Sequence, residues 1–320
     1  MVAIGKASLA MYPEFVAQVE ELSGVATGFR AKGTIEALFS RHAREELNTI
    51  VALHRGLGLN AEAISAKEAR EVEPVLSEEV EAAVLRPEEA SVDNRLLAKA
   101  LIEAGRRSRV EIHAGAAVEA IWRERLQCRG VVVRGEKIAT KHTVVAAGSF
   151  SSQIAGVEEY APVRPAKGQM VSLRCEAARI ERVLWSERIY AVPRNDGRIL
   201  CGATLEHVGF DKSVTAGGVH ANLDAAIELA PILAKARVEE AWAGLRPDTP
   251  DHLPILGPTD IEGLLIATGH FRSGVLLTPI TAKLIGDLVA GKTPSVDWEK
   301  FSPMRFQAAK ATAKVSGTPR

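Results

Sequence analysis

The chain has 320 residues, of which 47% are hydrophobic and 25% are charged, a composition typical of a globular protein large enough for two domains. Lysine plus arginine and aspartate plus glutamate each total 40 residues, so the net charge is zero. No charged tract therefore indicates a nucleic acid or a membrane surface as a partner.

Cysteine usage and hydropathy narrow the class further. The three cysteines are widely spaced, and the eight histidines form no metal-binding pattern. No apolar run reaches the ~18 residues that a membrane span needs, and the first residues lack a secretory signal. We therefore predict a protein of the reducing cytoplasm, without a metal site or an integral membrane segment.

Helices dominate the first third of the chain. Helical spacing of apolar residues and terminal signals predict helices over residues 6–23, 40–57, 65–74 and 93–107. Ser65 and Glu68 have the spacing of a capping box at the start of the third helix. Asp93 is placed to cap the fourth.

Short β-rich segments follow, and they mix with further helices. Strands are predicted over residues 110–113, 117–123, 130–133, 143–146, 167–175, 238–247 and 263–267. Residues 188–204 read as a hairpin that turns at Asn195-Asp196-Gly197. Helices are predicted over residues 219–230 and 275–290. The mixture lacks a strict βαβ rhythm, which favours a mixed α/β (α+β) fold with more than one chain crossing between two domains.

The stretch "GLGLNA" over residues 56–61 matches a dinucleotide-binding fingerprint only in its letters. That fingerprint requires a strand before it and a helix after it, because the helix N-terminus binds the pyrophosphate. A helical pattern precedes these glycines instead. We interpret Gly56 and Gly58 as a helix C-terminus and turn.

Two segments present small or positively charged residues at the end of a strand. "TVVAAGSFSS" over 143–152 allows a ligand or a backbone to approach closely, although ordinary strand-to-loop packing explains it equally. "AWAGLRPDTPDHLPILG" places Arg246 before a rigid, proline-rich turn. An arginine held in this way suits a bidentate grip on a carboxylate. An ion pair with Asp248 or Asp251 is the equally weighted alternative.

The segment "LLIATGHFRSGVLLTPITAKLIGDLVAG" over 264–291 has a strand, a glycine-bearing turn and a helix with Pro279 in its first turn. Free backbone N–H groups and the positive end of the helix dipole would meet there, beside Arg272. Such an arrangement suits an anion or an electron-rich ligand edge. The alternative is an ordinary strand–turn–helix with His270 as a bystander.

Taken together, these motifs resemble a known enzyme family. They are "SVDNRLLAKAL", "VVAAGSFSS", "PVRPAKGQM", "YAVPRNDGRILCGAT", "WAGLRPDTPDHLPILG" and "ATGHFRSGVLLTPITAKLIGDLV". In this order the chain resembles the D-amino-acid-oxidase family of flavoproteins from about residue 6 to residue 300, and within it the glycine oxidases of thiamine biosynthesis.

The resemblance implies a mixed α/β fold with two interleaved domains. The implied FAD-binding domain, an incomplete Rossmann-like sheet, comprises residues 1–30, 87–160 and 247–315. The implied substrate-binding domain, built on a large mixed β-sheet, comprises residues 31–86 and 161–246. The cofactor would be non-covalent FAD, since no cysteine lies in the C-terminal strand–turn–helix where a sarcosine-oxidase-type covalent link is expected.

By position, the resemblance also implies roles for individual residues. Arg246 and Tyr190 would bind the substrate carboxylate, and Arg272 would lie beside them and close the pocket. Val118 would meet the adenine side of FAD, and Gly148 would line the FAD groove. The flavin ring would lie along His270, Phe271, Arg272, Ser273, Gly274, Val275 and Leu276.

The implied reaction is the oxidative deamination of glycine or a small amine. A hydride passes from Cα to flavin N5, an imine forms, and O2 reoxidises the flavin and yields peroxide. No protein acid or base is required if the amine arrives neutral. The protein would position the substrate, and the cofactor would carry out the oxidation. The resemblance leaves open whether the chain forms a homo-oligomer and whether it has a thiazole synthase partner. It also leaves open three other functions: a sarcosine oxidase, a D-amino-acid dehydrogenase or a non-catalytic remnant.

One departure from the family pattern concerns the phosphate end of FAD. Family members begin with a strand, GxGxxG and a helix, followed by an acidic residue, and Met1 falls after the position of these segments. From this we expect an N-terminally incomplete chain that binds FAD weakly or not at all.

Arg188 could add charge at the pocket mouth, but a solvent-facing side chain is the favoured interpretation.

Overall fold

The computed structural model describes residues 1–177 and 179–307. Within them the helices are α1 Val2–Ser23, α2 Ala43–Gly56, α3 Ala66–Val72, α4 Asn94–Arg107, α5 Ala216–Leu229 and α6 Thr278–Val289. The strands are β1 Thr34–Leu38, β2 Glu62–Ser65, β3 Ala82–Arg86, β4 Val118–Glu124, β5 Gln127–Val133, β6 Glu136–Ala139, β7 Thr143–Val145, β8 Arg164–Arg174, β9 Val183–Trp185, β10 Tyr190–Pro193, β11 Arg198–Gly202, β12 Arg237–Asp248, β13 Ile255–Pro258 and β14 Leu264–Thr268.

An eight-stranded sheet is the largest feature. Its strand order is β12-β8-β11-β10-β9-β1-β3-β2, with β1 and β9 parallel and the other neighbours antiparallel. Two stretches of chain, 34–86 and 164–248, therefore build one sheet. The predicted mixed α/β fold with a large mixed sheet is confirmed.

Helix α5 covers one face of this sheet. Apolar residues of the sheet and of α5 form one buried cluster, which includes Val171, Leu173, Ile199, Ala226 and Leu229. Strand β8 is buried along most of its length because β11 and β12 pair with its two edges. The register of β8 and β12 therefore rigidly sets which residues face each other across them.

A three-stranded sheet, β13-β14-β7, lies in a second cluster of elements. Strand β14 pairs antiparallel with β13 and parallel with β7. Helices α1 and α6 share a buried core with β13, to which Ile4, Leu256, Leu277 and Ile280 contribute. A separate meander, β4-β5-β6, completes the sheets of the described residues.

Local sequence signals are confirmed in detail. Ser65 and Glu68 form the predicted capping box, with the Glu68 N–H donating to Ser65 Oγ at 3.2 Å and the Ser65 N–H to Glu68 Oε2 at 2.7 Å. Asp93 caps α4 through the N–H groups of its first turn. Helix α2 ends at Gly56, and Gly58 has φ +67°. The stretch "GLGLNA" is therefore a helix C-terminus and turn, as predicted.

Several elements differ from the prediction, and the clearest are a strand that does not form and a helix that begins later. Residues 110–113 form no strand, and Val110 and Ile112 are exposed, because no neighbouring strand of the described chain supplies hydrogen-bond partners for them. The last helix begins at Thr278 rather than at 275, since residues 269–277 are held as a separate turn.

The proposed domain boundaries stay a prediction, and residues 308–315 of the third FAD-binding stretch lie outside the described chain. No helix of the described residues is both long and apolar enough to cross a membrane.

Candidate active site

Arg246 lies near the end of β12, where β12 pairs with β8. Its Nη1 donates a hydrogen bond to the carbonyl of Thr204 at 3.1 Å. The guanidinium lies over Gly168 of β8, and a Cβ at that position would collide with both terminal nitrogens. The absence of a side chain at Gly168 is therefore what lets Arg246 lie across the strand.

The structure decides between the two interpretations of Arg246. Asp248 accepts hydrogen bonds from the Thr249 N–H at 3.0 Å and from His252 Nδ1 at 2.6 Å. Asp251 pairs with Arg305, with the Oδ2–Nε distance at 2.8 Å. Among the described residues no carboxylate pairs with Arg246, so the ion-pair alternative is excluded there.

Tyr190, the first residue of β10, lies beside this guanidinium. Its hydroxyl donates to Met170 Sδ at 3.3 Å, and its ring packs against Trp185 with centroids 5.7 Å apart. Burial raises the pKa of Tyr190, while the positive charges of Arg246 and Arg272 oppose that rise. The fold therefore brings Tyr190, Arg246 and Arg272 together; we call these three residues the arginine pocket.

Electrostatics make this pocket receptive to an anion. Burial lowers the pKa of the Arg246 guanidinium, the charge of Arg272 lowers it further, and Tyr190 opposes both effects. A half-buried guanidinium such as Arg246, which no carboxylate of the described residues pairs with, is costly. A bound carboxylate would relieve that cost through charge-assisted hydrogen bonds.

The turn that carries Arg272 is tied to the end of β12. The Phe271 N–H donates to the Pro247 carbonyl at 2.9 Å, and the Phe271 ring stacks on His252 with centroids 5.2 Å apart. The Arg272 guanidinium lies 5.4 Å from the Phe271 ring centroid, within cation–π range. Phe271 has φ +47°, a conformation that the surrounding contacts must hold in place.

Residues 269–277, which we call the 269–277 turn, present backbone N–H groups as well as exposed side chains such as Arg272. The carbonyls of Val275 and Leu276 accept from Tyr12 and from Ser8, the latter at 2.6 Å, so helix α1 anchors the turn. The N–H groups of Gly274, Val275 and Leu276 have no acceptor among the described residues. These N–H groups stand just before α6, where the helix dipole favours negative charge.

His270 of this turn is partly buried beside α6, and its predicted place along the flavin ring stays a prediction. Its Nε2 lies 3.0 Å from Thr281 Oγ1. Burial lowers the pKa of His270 to about 4. The ring is therefore neutral at physiological pH, and a charged histidine is not part of the site.

Gly148 begins a short 3₁₀ helix over Gly148–Gln153. It has φ +55°, and a Cβ there would meet no atom within 4 Å, so one side of it is open. The next residue, Ser149, donates through Oγ to the carbonyl of Leu245 at 3.1 Å, which places Gly148 close to Arg246 in the fold. The backbone of Gly148 is therefore accessible to a ligand from that side.

Val118 lies apart from these residues, at the start of β4. The meander reaches the Gly148 segment through the Ala155 N–H, which donates to the Glu119 carbonyl at 2.9 Å. Arg188 is an exposed ion-pair residue that contacts Glu228 and lies 2.7 Å from Asp224, as the favoured interpretation predicted. The role of Val118 in binding adenine stays a prediction.

Several residues of the site were not predicted from the sequence. Gly168, Met170, Trp185 and Thr204 surround Arg246 and Tyr190 only through the register of the large sheet. The motif "PVRPAKGQM" contains two of them, but nothing in its letters assigns them a contact with Arg246.

Comparison with known proteins identifies the family. The family model described as DAO, FAD dependent oxidoreductase, matches residues 2–288. The chain belongs to this family. The open side of Gly148 and the N–H groups of residues 274–276, which have no acceptor among the described residues, are compatible with the FAD that the family uses.

Similar proteins include fusions and single-function enzymes. The chain is 35% identical over 312 residues to the bifunctional protein ThiO/ThiG of Trichormus variabilis, covering 96% of this chain and 47% of that protein. It thus spans about half the length of that relative. The glycine oxidase of Geobacillus kaustophilus is 32% identical over 314 residues, covering 95% of this chain and 82% of that protein.

The fold agrees with a solved structure. The crystal structure of glycine oxidase from Geobacillus kaustophilus superposes with a TM-score of 0.89 at 30% identity, covering 95% of this chain and 82% of that chain. The resemblance seen in the sequence motifs, to the D-amino-acid-oxidase family near glycine oxidase, is confirmed.

Proposed function

We propose that this chain oxidises glycine or a similarly small amino acid in an FAD-dependent reaction, as part of thiazole formation in thiamine biosynthesis. The observation that carries the proposal is Arg246, a partly buried guanidinium beside Tyr190 and Arg272 with no carboxylate partner in the described chain. The similarity to glycine oxidases supports the same substrate class.

The residues that would hold FAD are Gly148, whose one side is open, and the 269–277 turn, whose N–H groups at residues 274–276 have no acceptor in the described chain and could donate to an electron-rich ligand edge. Val118 would meet the adenine side. A bound FAD would supply the redox chemistry, a two-electron oxidation of the substrate amine to an imine with O2 as the final acceptor and hydrogen peroxide as its product.

The protein's own residues bind and orient the substrate. Arg246 would take the carboxylate in a two-pronged hydrogen bond, Tyr190 would donate its hydroxyl to the same group, and Arg272 would close the pocket over it. His270 is too weak a base to take the ammonium proton, because burial lowers its pKa to about 4. We infer that the substrate amine arrives neutral.

A partner protein is part of the proposal. The ThiO/ThiG relatives join a region similar to this chain to a second region in one polypeptide. We infer that the imine passes to a thiazole synthase, either fused to such a chain or bound to it, and that the chain forms a homo-oligomer. The three cysteines are free and buried, as suits the reducing cytoplasm where we place this activity.

The test is glycine oxidation by the chain supplied with FAD, whose retention after desalting is first recorded from the visible spectrum. Glycine, sarcosine and D-alanine are compared, with O2 and with an artificial electron acceptor. We expect glycine to be preferred with O2 and R246M to lose at least ~100-fold in kcat/KM, as for a lost charged hydrogen-bond pair.

R188M is the matched control, since Arg188 is exposed and pairs with Asp224 and Glu228. It should retain activity within about twofold. A preference for sarcosine, or electron transfer to the artificial acceptor alone, would show that the chain is a related enzyme and not a glycine oxidase. If an FAD-loaded chain shows no amine-dependent electron transfer, the proposal is wrong.

A further inference from the structure

Lys167 is a fully buried cation on β8, next to Gly168. Its side chain is 1% exposed, and its Nζ lies 3.0 Å from Glu206 Oε2 and 3.7 Å from Asp211 Oδ2. Nζ also donates to the carbonyl of Ser213 at 3.3 Å. Burying an ammonium group is costly without such partners, so these contacts hold the segment 204–213 in one place.

A continuous set of hydrogen bonds leads from Lys167 to Arg246. The Thr204 hydroxyl donates to Glu206 Oε1 at 2.6 Å, and the Thr204 carbonyl accepts from Arg246 Nη1 at 3.1 Å. The backbones of Lys167 and Glu206 also pair, with N–O distances of 2.8 and 2.9 Å. Thr204 is therefore the single residue between the Glu206 carboxylate and the guanidinium.

Gln169 strengthens this arrangement from the same strand. Its Nε2 donates to Glu206 Oε1 at 2.8 Å, and its backbone N–H donates to Thr204 Oγ1 at 2.9 Å. Burial would raise the pKa of Glu206, but hydrogen bonds from Thr204, Gln169 and Lys167 lower it below its usual value. The carboxylate thus stays charged at neutral pH and accepts from all three.

We propose that Lys167 and Glu206 are positioning residues for Arg246: through Thr204 they hold the guanidinium in the orientation that binds the substrate carboxylate. The inference rests on the proposed function, since it names how that same pocket is organised. The Thr204 carbonyl accepts a hydrogen bond from one N–H of Arg246 Nη1. The other N–H groups of the guanidinium remain available to bind the ligand. Because no carboxylate of the described residues pairs with Arg246, this neutral carbonyl orients the guanidinium without neutralising it.

The experiment compares K167M, E206A and E206Q with the parent chain, all supplied with FAD. The control is K67M, whose side chain is 85% exposed and lies 3.8 Å from Glu71. Steady-state kinetics with glycine give KM and kcat, and calorimetric titration with glycolate reports carboxylate binding without turnover. Thermal unfolding shows whether each variant is folded.

We expect K167M and E206A to raise the glycine KM and the glycolate Kd by about tenfold, because a hydrogen bond to a charged group is loosened. The value of kcat should change by less than about twofold, the pattern of lost binding rather than lost chemistry. E206Q retains an oxygen that accepts the Thr204 hydroxyl, so it should lose less than E206A. K67M should match the parent.

A double variant separates positioning from general damage. In an R246K background there is no guanidinium to orient, so adding K167M should change glycolate binding by less than about twofold. An equal tenfold loss in both backgrounds would overturn the proposal. If K167M does not fold, the E206Q and E206A pair in both backgrounds gives the same answer.

The two proposals fail in different ways. If the parent oxidises glycine and K167M and E206A bind glycolate as well as it does, positioning is wrong and the function stands. If glycine is not oxidised but glycolate binding depends on Arg246 and Lys167, the function is wrong and positioning stands. If the parent neither oxidises glycine nor binds glycolate, both are wrong.

Discussion

The arginine pocket and the 269–277 turn present positive charge in different ways. In the pocket, the charged Arg246 side chain and the Tyr190 hydroxyl project from strands that the large sheet holds in register. In the turn, free N–H groups are presented by a backbone that α1 anchors through Ser8 and Tyr12. Arg272 belongs to both, since it lies in the turn and faces the pocket.

This difference predicts that substitutions affect the pocket and the turn in two different ways. A site made of side chains fails when a charged group moves, and the fold survives. A site made of backbone tolerates changes to its outward side chains but fails at its glycines and anchors. Four substitutions test this contrast.

The largest effect on the pocket is expected from G168A. The added Cβ would collide with the Arg246 guanidinium and displace it, because Gly168 lies directly beneath. We expect the glycine KM to rise by at least ~30-fold, as a misplaced binding group costs up to ~100-fold. Glycolate titration should show the same loss.

G244A is the matched control, since Gly244 is the β12 partner of Gly168 and a Cβ there would meet nothing within 4 Å. It should leave KM within about twofold. A G168A chain that binds glycolate normally would show that the guanidinium can relocate, and the contrast between pocket and turn would fail.

In the turn, G269A is expected to destabilise the fold itself. Gly269 has φ +72°, and a Cβ would lie 2.5 Å from Thr249 Cγ2. Strain of this kind costs about 2 kcal/mol or more in the free energy of unfolding. Urea unfolding measures it, with G286A in α6 as the control, where open space and better helix propensity predict a gain of ~0.5 kcal/mol.

His270 gives the turn a pH dependence that the pocket lacks. Burial lowers its pKa from 6.5 to about 4, so between these values the unfolded chain binds a proton that the folded chain does not. Stability is therefore full above pH 6.5 and falls as the pH drops toward 4, by at most ~3 kcal/mol.

Comparing the free energy of unfolding of the parent and H270Q across this range isolates the effect. The advantage of the parent should shrink as the pH falls. A constant difference would mean that the ring is more hydrated than its packing indicates. H113N, at an exposed histidine, controls for nonspecific effects.

The smallest effect is expected from Y12F. Tyr12 is 3% exposed, and its hydroxyl donates to the Val275 carbonyl. Removing the hydroxyl leaves that carbonyl without this donor and should cost ~1 kcal/mol of stability, with weaker FAD retention. L276A, at a side chain that is 39% exposed, should stay within ~0.5 kcal/mol. If L276A costs more than Y12F, side chains rather than backbone hold the turn.

Local signals were predictable from the sequence because each depends on neighbouring residues. The Ser65 capping box, the Asp93 cap and the Asn195-Asp196-Gly197 turn lie within a few residues of the elements they begin or join. The prediction of a strand over 110–113 was wrong because β-propensity describes one segment alone. A strand also requires a partner that pairs with it.

The sequence by itself determined the family, the mixed α/β class and the candidates Tyr190, Arg246 and Arg272, because these are carried by ordered motifs and residue types. Only the tertiary structure decided that Arg246 has no ion pair with Asp248 or Asp251. It alone brought Gly168 and Thr204 to that side chain and Lys167 to Glu206. Their contacts depend on strand register between segments far apart in the chain, and register is set by the packing of the whole sheet.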